Sequence, residues 1–434
     1  MTQMEVAPAT EASGMSIFAD TIYRAKYSMN GQEDWPQTVE RTIKNVLGAL
    51  GYGPGDSEYD RLLQFVIDKK FLPGGRYLYA SGRDLHQTQN CLLMRAEDSR
   101  EGWADIMQKS GMALMTGAGI GIDYSGVRPS GIPIKKTGGT ASGPIALMKI
   151  VNEIGRNVMQ GGARRSAIWA GLSWKHGDIM DFIHLKEWSD EVKKLKEADF
   201  TFPATMDMTN ISVILDDEFF AAFHEQDHEL HDHAHKVYWA TIKNMVSTAE
   251  PGFSVDIGVN SGETLRNACT EITSADSDDI CNLGSVNLAR ITDIDELDEV
   301  VKLGTLFLLA GTVYSHLPYD DVELIRTKNR RLGLGIMGMH EWLLQRHKPY
   351  GPDEELGEWL EVYENSGGYA NHYAKVHGLT PPVKTRAIAP TGTIGIIAET
   401  TTGIEPIFCV AYKRRYRSAR ANGNDLIQYQ YVID

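Results

Sequence analysis

Short apolar runs of strand character alternate with stretches of helical spacing along almost the whole chain, and this alternation limits the fold more than any other feature. A chain of this kind buries its apolar faces by packing helices on a sheet, so an α/β fold in a single domain is expected. Val39, Ile43, Val46, Leu47 and Leu50 recur at helical intervals, with Pro36 tolerated in the first turn. Leu62, Leu63, Phe65, Val66 and Ile67 mark a second helix, which Pro73-Gly74-Gly75 breaks. Residues 76–80 and 89–94 read as strands. Asp98 reads as the N-cap of a helix carrying Trp103, Ile106, Met107, Met112 and Leu114. Strands are also expected at 167–172, 210–215 and 385–389, and at 331–338 running into a helix at 339–344. Further helices are expected at 217–223, 239–247, 297–317 and 354–377.

The net charge of −15 argues against a nucleic-acid-binding surface but leaves room for a local basic pocket that holds phosphates. Four cysteines, Cys91, Cys269, Cys281 and Cys409, are too few and too scattered for a disulfide-stapled secreted domain, so reduced or redox-active thiols in a cytoplasmic protein are expected. The most apolar window, 303–313, is interrupted by Gly304, Thr305, Gly311 and Thr312 and is too short to span a membrane. Residues 1–15 are small and polar, which reads as a disordered lead and not as a signal peptide.

Two of the four cysteines lie close together, in Asn267-Ala268-Cys269-Thr270-Glu271 and in Cys281-Asn282-Leu283-Gly284-Ser285. If the first segment is extended, its two-residue period sends Asn267, Cys269 and Glu271 to one side. The glycines of residues 116–123 resemble a dinucleotide loop only superficially. They follow a helix and enter a strand, so a tight helix-to-strand turn is expected. Lys135 and Lys136 precede a helix capped by Ser142 with Pro144 in its first turn, and Arg164 and Arg165 follow it. These loops are either solvated or hold phosphates through backbone N–H groups and cations. Pro390-Thr391-Gly392-Thr393-Ile394-Gly395 reads as an uncharged turn able to offer N–H groups and hydroxyls to a phosphate. His224, His228, His231, His233 and His235 read as a polar exposed loop or hairpin, and no metal site is expected there.

Asn90-Cys91-Leu92-Leu93, Gly121-Ile122-Asp123-Tyr124-Ser125, the segment 160–165, the two cysteine motifs, Pro390 to Ile394 and Gly403-Ile404-Glu405-Pro406 occur in that order. The ordered set resembles the catalytic chain of ribonucleotide reductases, in the compact form without an N-terminal ATP cone, similar to adenosylcobalamin-dependent and phage-encoded types. The resemblance implies a ribonucleoside-diphosphate reductase, an oxidoreductase that makes deoxyribonucleotides for DNA synthesis. It implies a ten-stranded α/β barrel of two half-barrels, with Cys269 on a central finger loop and the C-terminal part shortened. Residues 16–90 would form a helical region with the first barrel strand, and 91–434 the catalytic barrel.

In such an enzyme Cys269 would carry the thiyl radical, Glu271 would take the 3′-hydroxyl proton, and Asn267 would bind the ribose hydroxyls. Cys91 and Cys281 would be the reducing dithiol. Asn90 and the Pro390, Thr391, Gly392, Thr393 and Ile394 loop would bind substrate. Asp98, Lys135, Lys136 and Arg164 would bind a deoxynucleotide effector that controls substrate choice. Adenosylcobalamin or a metal-bearing ferritin-like partner subunit would generate the radical, and an external thioredoxin or glutaredoxin would renew the dithiol, in a homodimer. The rival expectation is a catalytically incomplete nucleotide-binding half of a split reductase.

Overall fold

The computed structural model describes residues 15–135, 138–158, 166–199, 201–258, 262–418 and 426–433. In chain order the first elements are α1 (Ile17–Lys26), α2 (Trp35–Gly48), α3 (Ser57–Ile67), β1 (Phe71–Pro73) and α4 (Gly75–Ala80). Asp34 caps α2: its carboxylate accepts the Gln37 N–H while the Gln37 side chain accepts the Asp34 N–H, and Pro36 sits where no N–H is needed. Residues 76–80 form helix and not the expected strand. Arg76, Tyr77, Leu78 and Ala80 are all buried, so no apolar period distinguishes the two structures.

Next come β2 (Cys91–Arg95), α5 (Arg100–Thr116), β3 (Gly119–Asp123), α6 (Pro144–Asn157), β4 (Ile168–Ser173), α7 (Ile179–Ile183), α8 (Asp190–Ala198), β5 (Thr209–Asp216), α9 (Asp217–His224), α10 (His231–Thr248) and β6 (Gly252–Asp256). Strands β2 to β6 pair in sequence order, all parallel. At least one helix lies in each connection, the arrangement that buries both faces of a parallel sheet. Ser99, not Asp98, caps α5 by accepting the Gly102 N–H; Asp98 instead pairs with Arg128 at 2.7 Å. Helix α5 ends at Gly117, which is left-handed at φ 99°, and passes directly into β3 as the helix-to-strand turn requires. Helix α6 starts from Gly143 with Pro144 in its first turn, and no side chain, Ser142 included, caps it.

The histidine stretch is mostly helical: His224 ends α9, His231, His233 and His235 lie on α10, and His228 alone of the five sits in the connection between them. His231 and His235 on α10 bond the carbonyls of Ala222 and Phe223 in the last turn of α9 at 2.9 Å each. The imidazoles therefore satisfy carbonyls that a helix end leaves open. Among the described residues no group of His, Cys, Asp or Glu is arranged to hold a metal ion.

A short hairpin follows, β7 (Leu265–Arg266) with β8 (Thr273–Ser274), and then β9 (Asp279–Asn287). The remaining elements are α11 (Ile294–Tyr314), α12 (Asp320–Asn329), β10 (Leu332–Met337), α13 (Met339–Gln345), α14 (Glu354–Glu364), α15 (Ser366–Val376), α16 (Gly392–Ala398), β11 (Ala411–Ser418) and β12 (Leu426–Ile433). The expected helix 354–377 is broken at Asn365. Residues 385–389 form no strand, only an isolated bridge between Arg386 and Leu334.

The chain divides into two compact units. One comprises Met1–Thr88, Asn282–Tyr314 and Leu332–Asp434. Its core surrounds α11, which is buried on every side from Leu303 to Thr312, with Val39, Phe65, Phe71, Phe307 and Trp342 in the same core. Here residues 282–287 of β9 pair antiparallel with β1 and parallel with β10. The other unit comprises Gln89–Cys281 and Ser315–Arg331. It holds the parallel sheet, with Asp279, Ile280 and Cys281 paired antiparallel to β2 at the edge opposite β6. Leu92, Ile120, Ile122, Ala170 and Val213 form its core with Leu147, Phe182 and Phe219 from the helices. Among the described residues no helix is long and apolar enough to cross a membrane.

Candidate active site

Within the sheet-bearing unit, Cys91 opens β2 and stands directly opposite Cys281. Directly opposed residues of an antiparallel pair have Cα atoms about 4.5–5.5 Å apart, inside the range a disulfide spans. Both cysteines are thiols, and both are buried, at 3% and 0% exposure. The backbone of Asn90 is engaged at the same strand end. Its N–H donates to the Cys281 carbonyl at 3.2 Å and its carbonyl accepts the Gly119 N–H at 2.7 Å.

The third cysteine arrives on the β7–β8 hairpin. Residues 267–270 are a turn and not extended chain: the Thr270 N–H donates to the Asn267 carbonyl at 3.1 Å, and Thr270 is left-handed at φ 70°. The Asn267 side chain accepts the Ile272 N–H at 3.1 Å, which locks the loop internally. Turn geometry, and not strand alternation, thus brings Asn267, Cys269 and Glu271 together. Cys269 is exposed on the turn, whereas Asn267 is buried.

Glu271, Cys281, Cys269 and Asn267 all lie within electrostatic or hydrogen-bonding reach of Cys91. Burial pushes the Cys91 thiol well above the usual thiol range, and Glu271, Cys281 and Cys269 push it further, while a hydrogen bond from Asn267 opposes them. Burial likewise raises the Glu271 carboxyl, partly offset by its own backbone N–H and by the Asn267 amide. Both Glu271 oxygens are shielded from solvent. A buried carboxylate left in that state is suited to a hydroxyl donor that arrives from outside.

The glycines of β3 serve this hairpin. A Cβ on Gly121 would come 1.8 Å from the Arg266 carbonyl oxygen, and one on Gly119 would come 3.1 Å from the Ala268 Cβ. At Gly121 only a residue without a side chain lets the hairpin lie on the strand, while Gly119 eases the fit, a need that local sequence does not reveal.

Among the effector candidates, Asp98 is paired with Arg128, and Lys135 is exposed at the end of a loop. That loop is closed by Pro133 and Thr140. Lys136 and Arg164 lie outside the described residues. A cavity of about 480 Å³ in this unit, lined by Lys149, Asn152, Arg156 and Trp188 among others, contains none of the expected site residues.

In the other unit, the Pro390 to Ile394 segment is a turn only as far as Thr391, after which α16 begins. Thr391 is left-handed at φ 50°, and its hydroxyl accepts the Gly403 N–H at 2.8 Å. A β-branched residue held in that conformation is strained, the kind of position that functional sites retain.

The barrel-domain model of ribonucleotide reductases matches residues 89–247 and 231–362. A vitamin B12-dependent ribonucleoside-diphosphate reductase of Mycobacterium tuberculosis is 28% identical over 92% of this chain and 63% of its own length. The protein of the same name from Thermoplasma acidophilum is 29% identical over 86% of this chain and 52% of its length. The ribonucleoside-diphosphate reductase large chain of Schizosaccharomyces pombe is 26% identical over 63% of this chain and 39% of its length. The chain thus spans less than two thirds of the length of these relatives. With the family model covering most of the chain, from the Cys91 strand through the Cys269 turn and Cys281, the protein belongs to the ribonucleotide reductase barrel-domain family.

Proposed function

We propose that the chain is the catalytic chain of a ribonucleoside-diphosphate reductase that uses a thiyl radical on Cys269. The single observation that carries this is the meeting of three thiols, one buried carboxylate and one amide in one site, two of the thiols opposed across antiparallel strands. A sulfur radical at Cys269 abstracts the 3′ hydrogen of the ribose, and Glu271 accepts the 3′-hydroxyl proton. Cys91 and Cys281 then supply two electrons and two protons as they close to a disulfide, and the 2′-hydroxyl leaves as water. Glu271 gives the proton back to the 3′ oxygen, and Cys269 returns the hydrogen to the 3′ carbon and so regains its radical. Asn267, already hydrogen-bonded to the site, orients the ribose hydroxyls. An external thioredoxin- or glutaredoxin-type dithiol reopens the disulfide.

Asn90 and the Pro390 to Ile394 segment bind substrate in this assignment, and the diphosphate goes to the N–H groups that open α16. Asp98, Lys135, Lys136 and Arg164 take a deoxynucleotide effector, and the working form is a cytoplasmic homodimer. Residues 16–90 contribute the helical region and the first barrel strand, and 91–434 the rest of a ten-stranded barrel of two half-barrels.

The names of the Mycobacterium and Thermoplasma relatives favour adenosylcobalamin over a metal-bearing subunit as the radical source. When bound, that cofactor would supply the one-electron oxidation of the Cys269 thiol. The exposed position of Cys269 on its turn fits an oxidant that approaches from outside.

The test is nucleotide reduction by purified protein, first with adenosylcobalamin and then with a ferritin-like metal subunit. Deoxynucleotide should form with one of the two, and Cys269→Ser should abolish it. Product formation that survives Cys269→Ser would remove the radical assignment.

A further inference from the structure

The loop that carries Cys269 is held on the sheet by a seat made of residues outside the reacting groups. Arg266, the residue before Asn267, is 5% exposed. It donates to the Val255 carbonyl on β6 at 2.7 Å, to the Leu265 carbonyl at 3.1 Å and to the Glu263 carbonyl. Its charge lies within electrostatic reach of Asp256, Glu263 and Asp123. Asp256 is itself buried, with one oxygen receiving the Gly262 N–H at 3.1 Å and the other without a hydrogen bond. Beside it, Thr264 donates its hydroxyl to Asp123 at the end of β3 at 2.7 Å. Gly121 leaves no room for even one methyl group between β3 and the Arg266 carbonyl.

The two contacts act on the same residue, one at its carbonyl and one through its guanidinium. Gly121 sets how close the hairpin comes to β3, because any side chain there would push it outward. Arg266 sets where the hairpin lies along the sheet, because a planar, multi-donor guanidinium binds several carbonyls at once and an ammonium cannot copy that geometry. A buried cation held by carbonyls and offset by buried carboxylates tolerates little displacement, since moving it would leave charges unpaired. Cys269 is three residues from Arg266 and on the same short turn, so the seat fixes the sulfur relative to Cys91.

We propose that Gly121 and Arg266 are positioning residues whose paired contact holds the Cys269 turn over the Cys91–Cys281 dithiol. The proposal rests on Cys269 being the radical cysteine, but its test does not use catalysis. In a Cys281→Ser background, the short thiol-bridging reagent dibromobimane links Cys91 to Cys269 when the turn is seated, and the link is read by fluorescence and peptide mapping. In a Cys269→Ser background, diamide closes Cys91 with Cys281, a pair set by β2 and β9 alone.

Gly121→Ala, Arg266→Met and Arg266→Lys should each lower the Cys91–Cys269 link severalfold and leave the rate of Cys91–Cys281 closure unchanged, with Arg266→Lys intermediate. An unchanged Cys91–Cys269 link would overturn the proposal. So would equal loss of both links, since it would show that these residues hold the sheet and not the turn. An inactive wild-type protein with the expected pattern of links would sink the reductase assignment and leave the seat standing.

Discussion

Cys91 and Cys281 face each other across paired antiparallel strands, a register whose usual Cα spacing of about 4.5–5.5 Å lies within the span of a disulfide. Mild oxidation with diamide should therefore produce one intramolecular disulfide, mapped to these two residues, while Cys409 stays open to alkylation. Burial and the neighbouring Glu271 keep the Cys91 thiol protonated well beyond the usual range, and the thiolate is the attacking species. The closure rate should go on rising above pH 9, the ordinary value for the group. A plateau below that pH would show Cys91 in a polar environment that the structure does not have.

Glu271 should set the acidic edge of activity. Its folded carboxyl lies above the ordinary 4.5, so the proton-accepting carboxylate is lost at a higher pH than in an unperturbed glutamate. The acid limb of kcat/KM should lie above pH 4.5 and disappear in Glu271→Gln. That variant should lose roughly 10²- to 10⁴-fold in kcat, the usual contribution of a positioned base.

Asp207 offers a stability test remote from the thiols. Burial would raise its carboxyl, but hydrogen bonds from Arg156 and Lys196 at 2.5 Å each outweigh that and hold it at about 2, against 3.8 unperturbed. A depressed folded value means the unfolded chain binds the proton more tightly. The stabilisation is therefore complete above pH 3.8 and is lost as pH falls through about 2. With a side chain only 2% exposed, this amounts to about 2 kcal/mol. Urea unfolding of Asp207→Asn should show at least that loss at pH 7 and a flatter decline on acidification than wild type.

Asp279 anchors the strand that delivers Cys281. Its fully buried carboxylate accepts from Arg331 at 2.8 Å, Asn329 at 3.0 Å and Ser274 at 2.7 Å, which ties β8 to the start of β9. Asp279→Ala leaves the Arg331 guanidinium buried without its counter-charge and should cost roughly 3–5 kcal/mol. Denaturant midpoints would measure it. A cost near 1 kcal/mol would mean that solvent reaches the network.

The parallel succession of helices and strands was legible because each element carries its own period, as α2 does with Val39, Ile43, Val46 and Leu47. Local reading failed where burial is nearly complete or where a distant group decides. Residues 76–80 are almost wholly buried, so their apolar character favoured a strand as readily as the helix they form. Residues 231–235 seemed too polar for packed structure, yet their imidazoles bond carbonyls of the preceding helix. Asp98 had the chemistry of a cap but was outcompeted by Ser99, while its carboxylate pairs with Arg128.

For the site, the sequence by itself determined which groups are present: three thiols in ordered motifs, with an amide and a carboxylate flanking Cys269. Only the tertiary structure decided that Cys91 and Cys281 are strand neighbours, and that a turn gathers Asn267, Cys269 and Glu271. It also decided that the glycines of β3 exist to let the hairpin lie flat. The physical reason is that side-chain chemistry is carried by each residue alone. Register and close approach are properties of pairs far apart in the chain, and they arise only when burial of the shared core fixes those pairs in place.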